Sequence, residues 1–225
     1  MTAYGTVTQL KTRTMRNDAL SAAMTTALES ILNAISRKID NICKVPNNYF
    51  VADAADVTKT LSGNGKQYLP IPHAVSITTV SVKVSYADTV YVAWDTPSTV
   101  HAGDGDWYLM SGTPEHPLFD TTPYTYLGID PNGSYSYFPD GHKFWNMQLV
   151  GKFGYAATCP SDIQECCLAD AVIMLKRFEG VMDDSLTNQD LGQLVYRIRM
   201  SELSRDARDL LLAGGWIPTM YNSWV

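Results

Sequence analysis

Two segments with a helical spacing of apolar residues, separated by residues 46–155, constrain the fold of this chain most. Asn17 or Asp18 offers an N-cap for the first segment, and Pro46 with the Asn47-Asn48 pair ends it. Its apolar residues recur at steps of three and four: Leu20, Met24, Ala27, Leu28, Ile31, Ile35, Ile39 and Ile42. This spacing predicts an amphipathic helix of about seven turns.

The second segment begins at Cys159-Pro160-Ser161, where Ser161 and Gln164 form a Ser-x-x-Gln pattern that predicts a capping box. The helix that follows runs towards Gly180 and is apolar over most of its circumference, which is typical of a buried helix. Two further helices are predicted, one over residues 188–200 and one from Ser201 or Ser204 to the Gly214-Gly215 pair.

Residues 46–155 are rich in Tyr, Val, Thr, Trp, Gly and Pro, and alternation replaces the helical spacing. The turn Ser62-Gly63-Asn64-Gly65 predicts a hairpin between strands at 56–61 and 66–71. Further strands are predicted at 75–86, 90–94 and 144–155. Six prolines lie between residues 96 and 141, so we expect long loops there.

These patterns predict an α+β protein with a helical bundle of three to four helices and a large β-rich insertion between the first and second helices. Residues 17–45 and 156–213 would form the bundle, and 46–155 the insertion. Residues 1–16 lack apolar periodicity and predict a flexible arm. Residues 214–225 predict a docking tail, because they are uncharged and carry five large apolar residues: Trp216, Ile217, Met220, Tyr221 and Trp224.

Acidic residues dominate one part of the insertion, because no Lys or Arg lies between Lys83 and Lys143, although the whole chain has a net charge of only −6. The candidate surface acids are Asp104, Asp106, Asp120 and Asp130. Such a surface repels the phosphate backbone, so sequence-specific DNA binding is not expected, whereas sliding DNA would be tolerated. A plain solvated face explains the same pattern.

Motifs for catalysis or metal binding are incomplete. His73, His101, His116 and His142 fall in four predicted loops without zinc-like spacing. The turns at 103–106 and 130–134 begin like calcium loops and do not complete the pattern. No nucleophile elbow, phosphate loop or dinucleotide fingerprint occurs. We therefore expect no catalytic residues, no metal, no cofactor and no enzymatic activity.

Four cysteines, among them the adjacent Cys166 and Cys167, are too few and too irregular for a disulfide scaffold. The adjacent pair is expected to act as two small buried apolar residues on the second helix. No signal sequence or apolar run of about 18 residues occurs, so we expect no membrane partner.

The order of these parts resembles the head-tail connector, or adaptor, family of tailed bacteriophages. Residues 34–44 followed by Tyr49-Phe50 resemble the exit from that family's first helix, and residues 61–72 resemble its hairpin. The entry into its second helix resembles Gly151-Lys152-Phe153-Gly154-Tyr155 through Pro160-Ser161-Asp162-Ile163, and its closing helix resembles residues 201–212. The resemblance covers residues 18–214, without a counterpart for 96–141.

This resemblance implies a structural virion protein that forms a ring of about twelve copies, lines the DNA channel and connects the portal vertex to the tail. The implied partners are the portal protein, a stopper or tail-completion protein, and double-stranded DNA that passes without sequence-specific binding. The implied location is the neck of the virion, with assembly in the cytoplasm of the bacterial host.

A carbohydrate- or surface-binding β-rich module of a phage or bacterial particle is the alternative, because exposed aromatic rings stack on sugars. The residues that suggest it are Trp94, Trp107, Tyr108, Tyr124, Tyr126, Tyr135, Tyr137 and Trp145. The same rings could instead form the core of the β-rich part.

Overall fold

The computed structural model describes residues 3–14, 21–83, 85, 88–99, 103–140, 145–178 and 202–217. These residues contain both helices and strands, which confirms the mixed class. The helices are α1 (Val7–Thr14), α2 (Ala22–Cys43), α3 (Ser161–Phe178) and α4 (Arg205–Ala213). The strands are β1 (Val57–Leu61), β2 (Tyr68–Val82), β3 (Val92–Ala93), β4 (Trp107–Thr113), β5 (His116–Leu118), β6 (Tyr124–Ile129) and β7 (Met147–Phe153).

The chain divides into two compact units, which we call the helical unit and the β unit. The helical unit comprises residues 1–50 and 159–225, so it draws on sequence from both sides of the β unit. The β unit comprises residues 51–158.

Helix α2 begins at Ala22, where the Ser21 hydroxyl accepts a hydrogen bond from the Met24 amide at 3.2 Å. The expected caps, Asn17 and Asp18, lie outside the described residues. The helix ends as Lys44 adopts a left-handed conformation with φ of 57°, two residues before the proline that was expected to end it. Its core side is continuous, with Ile31, Ile35 and Ile39 buried, so the apolar spacing located this helix correctly.

The capping box expected at the start of α3 is wrong. Ser161 is the first residue of the helix, and Gln164 donates its backbone amide to the Pro160 carbonyl at 3.0 Å. The Gln164 side-chain amide donates instead to the Tyr4 carbonyl at 3.4 Å, so a contact distant in sequence replaces the local cap. Cys166 and Cys167 are fully buried on this helix, which confirms their interpretation as core residues.

The N-terminal segment is not the flexible arm that its composition predicted. Residues 7–14 form α1, and Tyr4 and Leu10 are buried. Arg13 forms an ion pair with Glu165 of α3. Two large buried side chains are too few to produce a visible apolar periodicity, which explains the error. The helix predicted over 188–200 lies outside the described residues, and α4 begins after Ser204, one of the two predicted caps.

The β unit is one antiparallel sheet of seven strands, in the order β1-β7-β2-β6-β4-β5, with β3 paired to β2. Strand β2 is central, since its first half pairs with β6 and its second half with β7. The pairing of β3 with β2 confirms the predicted partner strand.

Two predictions for the β unit are wrong. Strand β1 pairs with β7 rather than with β2, although the chain bends after Asn64 and Gly65 has a positive φ of 65°. A turn signal fixes where the chain reverses, but the neighbouring strand is selected by burial of β7 residues such as Leu149. The expected loops over 96–141 contain β4, β5 and β6, because the prolines lie between these strands or, like Pro117, in the edge strand β5.

Candidate functional site

A buried ion pair in the helical unit joins three helices. The Lys38 ammonium on α2 donates to Oδ2 of Asp170 on α3 at 3.0 Å and to the Glu202 carbonyl at 2.8 Å. The other Asp170 oxygen accepts the backbone amide of Ser204, the N-cap of α4, at 2.9 Å. The side chains of Lys38 and Asp170 are 4% and 0% exposed. This arrangement fixes the start of α4 against α2 and α3.

A second buried cluster fixes the N-terminal segment. The Tyr4 hydroxyl donates to Oδ1 of Asp40, and Oδ2 of Asp40 accepts from the Asn48 amide at 3.0 Å and pairs with the Arg37 guanidinium at 2.7 Å. The Tyr4 amide donates to the Ser36 hydroxyl at 2.9 Å. Burial raises the pKa of both Asp40 and Tyr4, and the hydrogen bond to Asp40 raises the pKa of Tyr4 further. The cluster is therefore a structural anchor in which Tyr4 remains a donor.

Sequence reasoning missed both clusters because it treated charged residues as surface residues. A signal was available, since Ser36, Arg37, Lys38 and Asp40 interrupt the apolar run of α2, and Asp170 lies among the apolar residues of α3. Opposite charges on two helices that both pack into a core predict a buried pair.

The buried thiols are poorly suited to nucleophilic chemistry. The pKa of Cys167 is raised to about 12, chiefly by burial and also by the charge of Asp170, against the lowering effect of a hydrogen bond with Ser36. Burial likewise raises the pKa of Cys159 to about 12. Thiols with such pKa values stay protonated near neutral pH, and the thiolate is the reactive form. Within the described ranges, no group of three or more His, Cys, Asp or Glu residues is placed to hold a metal ion.

The four acids proposed as surface charges divide into two kinds. Asp104 and Asp120 are exposed, whereas Asp106 and Asp130 are each 4% exposed, so the surface assignment is wrong for the latter two. The Asp106 carboxylate accepts backbone amides from Asp95 and Ser134, both at 2.8 Å. The two turns that begin like calcium loops thus pack on each other, with the buried carboxylates as acceptors for turn amides.

The histidines also differ from expectation. His73 lies in β2, which continues through the gap between two predicted strands, and His116 lies in β5, where a long loop was expected. Burial lowers the pKa of His73. His101 and His142 lie outside the described residues.

The proposed docking tail is partly built into the helical unit. Trp216 is half-buried and packs edge-on against Phe50, with ring centroids 5.2 Å apart. Ile217 lines a cavity of ≈340 Å³ together with Lys38 and Leu203. These contacts make Trp216 a packing residue, which the uncharged composition alone could not distinguish from a docking residue. Met220, Tyr221 and Trp224 lie outside the described residues.

The aromatic residues of the β unit are mostly not a binding surface. Trp94, Trp107 and Tyr124 are buried in the core, as the core interpretation predicted, while Tyr108 and Tyr126 are half-buried. The exposed members of the set are Tyr135, Tyr137 and Trp145.

Three exposed apolar residues lie in or beside β3 and on the segment next to it, and we call them the β3 patch: Val90, Val92 and Trp145. They are 69%, 61% and 64% exposed. The Tyr91 hydroxyl donates to the Trp145 carbonyl at 2.7 Å, so the segment at 90–92 and the segment at 145 lie close together. Exposed apolar side chains on one part of a protein commonly mark interaction surfaces. No helix in the described ranges is long and apolar enough to cross a membrane.

Comparison with known proteins gives a similarity to a solved structure. The chain matches no protein-family model and no curated protein sequence. A chain in the solved structure of the neck of an empty GTA particle, computed with C6 symmetry, aligns with 13% identity and a TM-score of 0.45. The alignment covers 88% of this chain and 91% of that chain. A TM-score of 0.45 is below the level at which a shared fold follows.

Proposed function

We propose that this chain is a non-catalytic structural protein of the neck of a tailed phage or phage-like particle, where copies of it form a ring. The observation that carries the proposal is the composition of the helical unit. Helix α2 precedes the β unit in sequence and α3 follows it, yet Ser36 and Lys38 of α2 contact Cys167 and Asp170 of α3. Contacts between helices from both sides of the β unit support the proposal, because the connector-like order of parts also places one helix before a β-rich segment and one after it.

The residues that resemble the connector family occupy defined places in the structure. Residues 34–43 form the last turns of α2 with Lys44 as its C-cap, and Phe50 packs against both Tyr4 and Trp216. Gly151-Lys152-Phe153 ends β7, and Ser161 begins α3. Short sequence motifs that coincide with element boundaries and core contacts are better support than motifs scattered over loops.

The finer parts of the proposal concern neighbours. The ring would be an adaptor between the portal and a stopper or tail-completion protein, in a virion assembled in the host cytoplasm. Heterologous contacts between copies need complementary surfaces, and the β3 patch supplies an exposed apolar one. Asp104 and Asp120, which remain exposed, would face passing DNA and repel its phosphates.

Single-molecule mass measurement of the purified chain, alone and mixed with the portal protein of the same particle, tests the proposal. We expect a closed oligomer whose mass is a fixed multiple of 24.9 kDa, formed alone or on the portal. Val92→Glu should reduce assembly. Tyr137→Glu is the matched control, because Tyr137 is exposed to the same degree and lies outside the β3 patch. A chain that stays monomeric and never binds portal would contradict the proposal.

A further inference from the structure

The β unit contains a small pocket, which we call the Tyr135 pocket, and we propose that it binds a single neutral sugar ring. Its volume is ≈260 Å³, and the residues that matter to the argument are Gln67, Tyr68, Tyr108, Gly133, Tyr135 and Ser136. All of them belong to one unit of the chain. The inference is independent of the ring proposal, since it concerns a surface with no part in the contacts proposed above.

Tyr135 forms one wall of the pocket and is the last ring in a stack of three aromatic side chains. Tyr135 stacks on Trp94 with centroids 4.3 Å apart and an interplanar angle of 13°, and Trp94 stacks on Phe138 at 5.6 Å and 14°. Because Trp94 covers one face of Tyr135, the pocket meets the other face or the ring edge. Phe138 and Trp94 are buried, so Tyr135 is held in place before any ligand arrives. Such a ring is suited to stack against the C–H face of a sugar.

A second wall is formed by two tyrosines across a glycine. Tyr68 of β2 and Tyr108 of β4 both lie opposite Gly128 of β6. A Cβ on Gly128 would lie 2.4 Å from Cζ of Tyr108, so the Tyr108 ring occupies the space that a side chain would need. Burial, followed by a hydrogen bond with Tyr68, raises the pKa of Tyr108. Tyr108 therefore presents a neutral hydroxyl group at neutral pH.

The turn at 130–134 forms the third wall and is fixed by close packing. A Cβ on Gly133 would lie 2.8 Å from Cα of Asp106, so only glycine permits this approach. The Ser134 amide donates to the buried Asp106 carboxylate at 2.8 Å. A pocket whose walls are already ordered loses little conformational entropy on binding, so a small ligand that makes few contacts can still bind.

The chemistry of the lining selects the ligand class. Among the described residues that line the pocket, none is charged, so phosphate, carboxylate and cationic ligands are disfavoured. The amide of Gln67 and the hydroxyl of Ser136 can each donate and accept hydrogen bonds, and an apolar ligand would leave them without that exchange. Sugar hydroxyls can both donate to and accept from such groups. The volume is below the about 300–1,000 Å³ of drug-sized ligand pockets, which points to a single ring.

Ligand-observed NMR with the whole chain tests the inference, with glucose, galactose and N-acetylglucosamine as probes and a glycan array to cover sugars within polysaccharides. We expect binding of at least one sugar. Tyr135→Ala should weaken it about tenfold, the value of one aromatic stacking contact, and Tyr135→Phe should retain the stacking. Tyr137→Ala is the matched control, because Tyr137 is exposed but does not line the pocket.

Each outcome decides the inference. The inference is supported if Tyr135→Ala loses sugar binding with an unchanged thermal melt while Tyr137→Ala retains sugar binding. The ligand can be a free sugar or a glycan that binds only on the array. No binding of any sugar by the unsubstituted chain overturns it, as does equal binding by Tyr135→Ala. Binding of a proline-rich peptide in place of sugars also overturns it. Ring assembly measured on Tyr135→Ala should be unchanged, so a failure here is distinguishable from a failure of the proposed neck function.

Discussion

Removing one partner of the Lys38–Asp170 pair should destabilise the helical unit far more than breaking a surface pair. In Lys38→Met the Asp170 carboxylate stays fully buried without the ammonium 3.0 Å away. Removal of one partner of a buried pair costs about 3–5 kcal/mol, and Asp170→Leu should cost a similar amount because it leaves Lys38 buried. The double variant removes both charges and leaves mainly the Ser204 amide without its acceptor, which costs about 1–3 kcal/mol.

Guanidinium unfolding followed by far-ultraviolet circular dichroism of the helices measures these free energies. Arg205→Met is the control, because the Arg205–Asp209 pair spans 3.9 Å with both side chains exposed and should contribute about 0–1 kcal/mol. The double variant should be less destabilised than the sum of the two single variants by several kcal/mol. Additive effects, or a Lys38→Met effect no larger than that of the control, would refute the reasoning.

Three more outcomes are expected. The pKa of Cys167 in the folded state is raised to about 12, whereas an unfolded thiol has a pKa of about 8.5. The contribution of Cys167 to the free energy of unfolding is therefore complete below about pH 8.5 and falls by about 1.4 kcal/mol per pH unit above it. Urea unfolding at alkaline pH should show that the free energy of unfolding decreases less steeply with pH in Cys167→Ala. Tyr4→Phe removes a buried hydrogen bond and should cost about 1–3 kcal/mol, with faster amide exchange over residues 3–14; unchanged exchange would contradict the anchor. Trp216→Ala should lower the thermal midpoint, because it removes the half-buried ring that packs against Phe50, worth about 1–2 kcal/mol; an unchanged midpoint would contradict that packing role.

Local patterns predicted the parts of this fold that local interactions determine. Helix α2 was located by its apolar spacing, α4 by Ser204 and Gly214, and the pairing of β3 with β2 by sequence proximity. The pairing of β1 with β7 was not predictable in the same way, because alternation shows which face of a strand is buried and not which strand lies beside it.

The site predictions failed where burial reverses the ordinary behaviour of a residue. Asp106 and Asp130 are acidic residues, a type that normally lies at the surface. Inside the β unit, backbone amides of the turns donate hydrogen bonds to their carboxylate oxygens. Trp216 was assigned to a docking tail because of its apolar side chain, and the same property packs it against Phe50. The Tyr135 pocket depends on Gly128 and Tyr108 lying opposite each other on separate strands, which requires the sheet register.

The central claim is that this chain is a component of a particle neck, and cryo-electron microscopy of intact particles tests it most directly. We expect a ring of copies at the portal vertex, with density that accommodates the helical unit and the β unit. Mass spectrometry of the same particles should detect the chain at a fixed ratio to the portal protein. Absence of the chain from purified particles, or its location away from that vertex, would contradict the account.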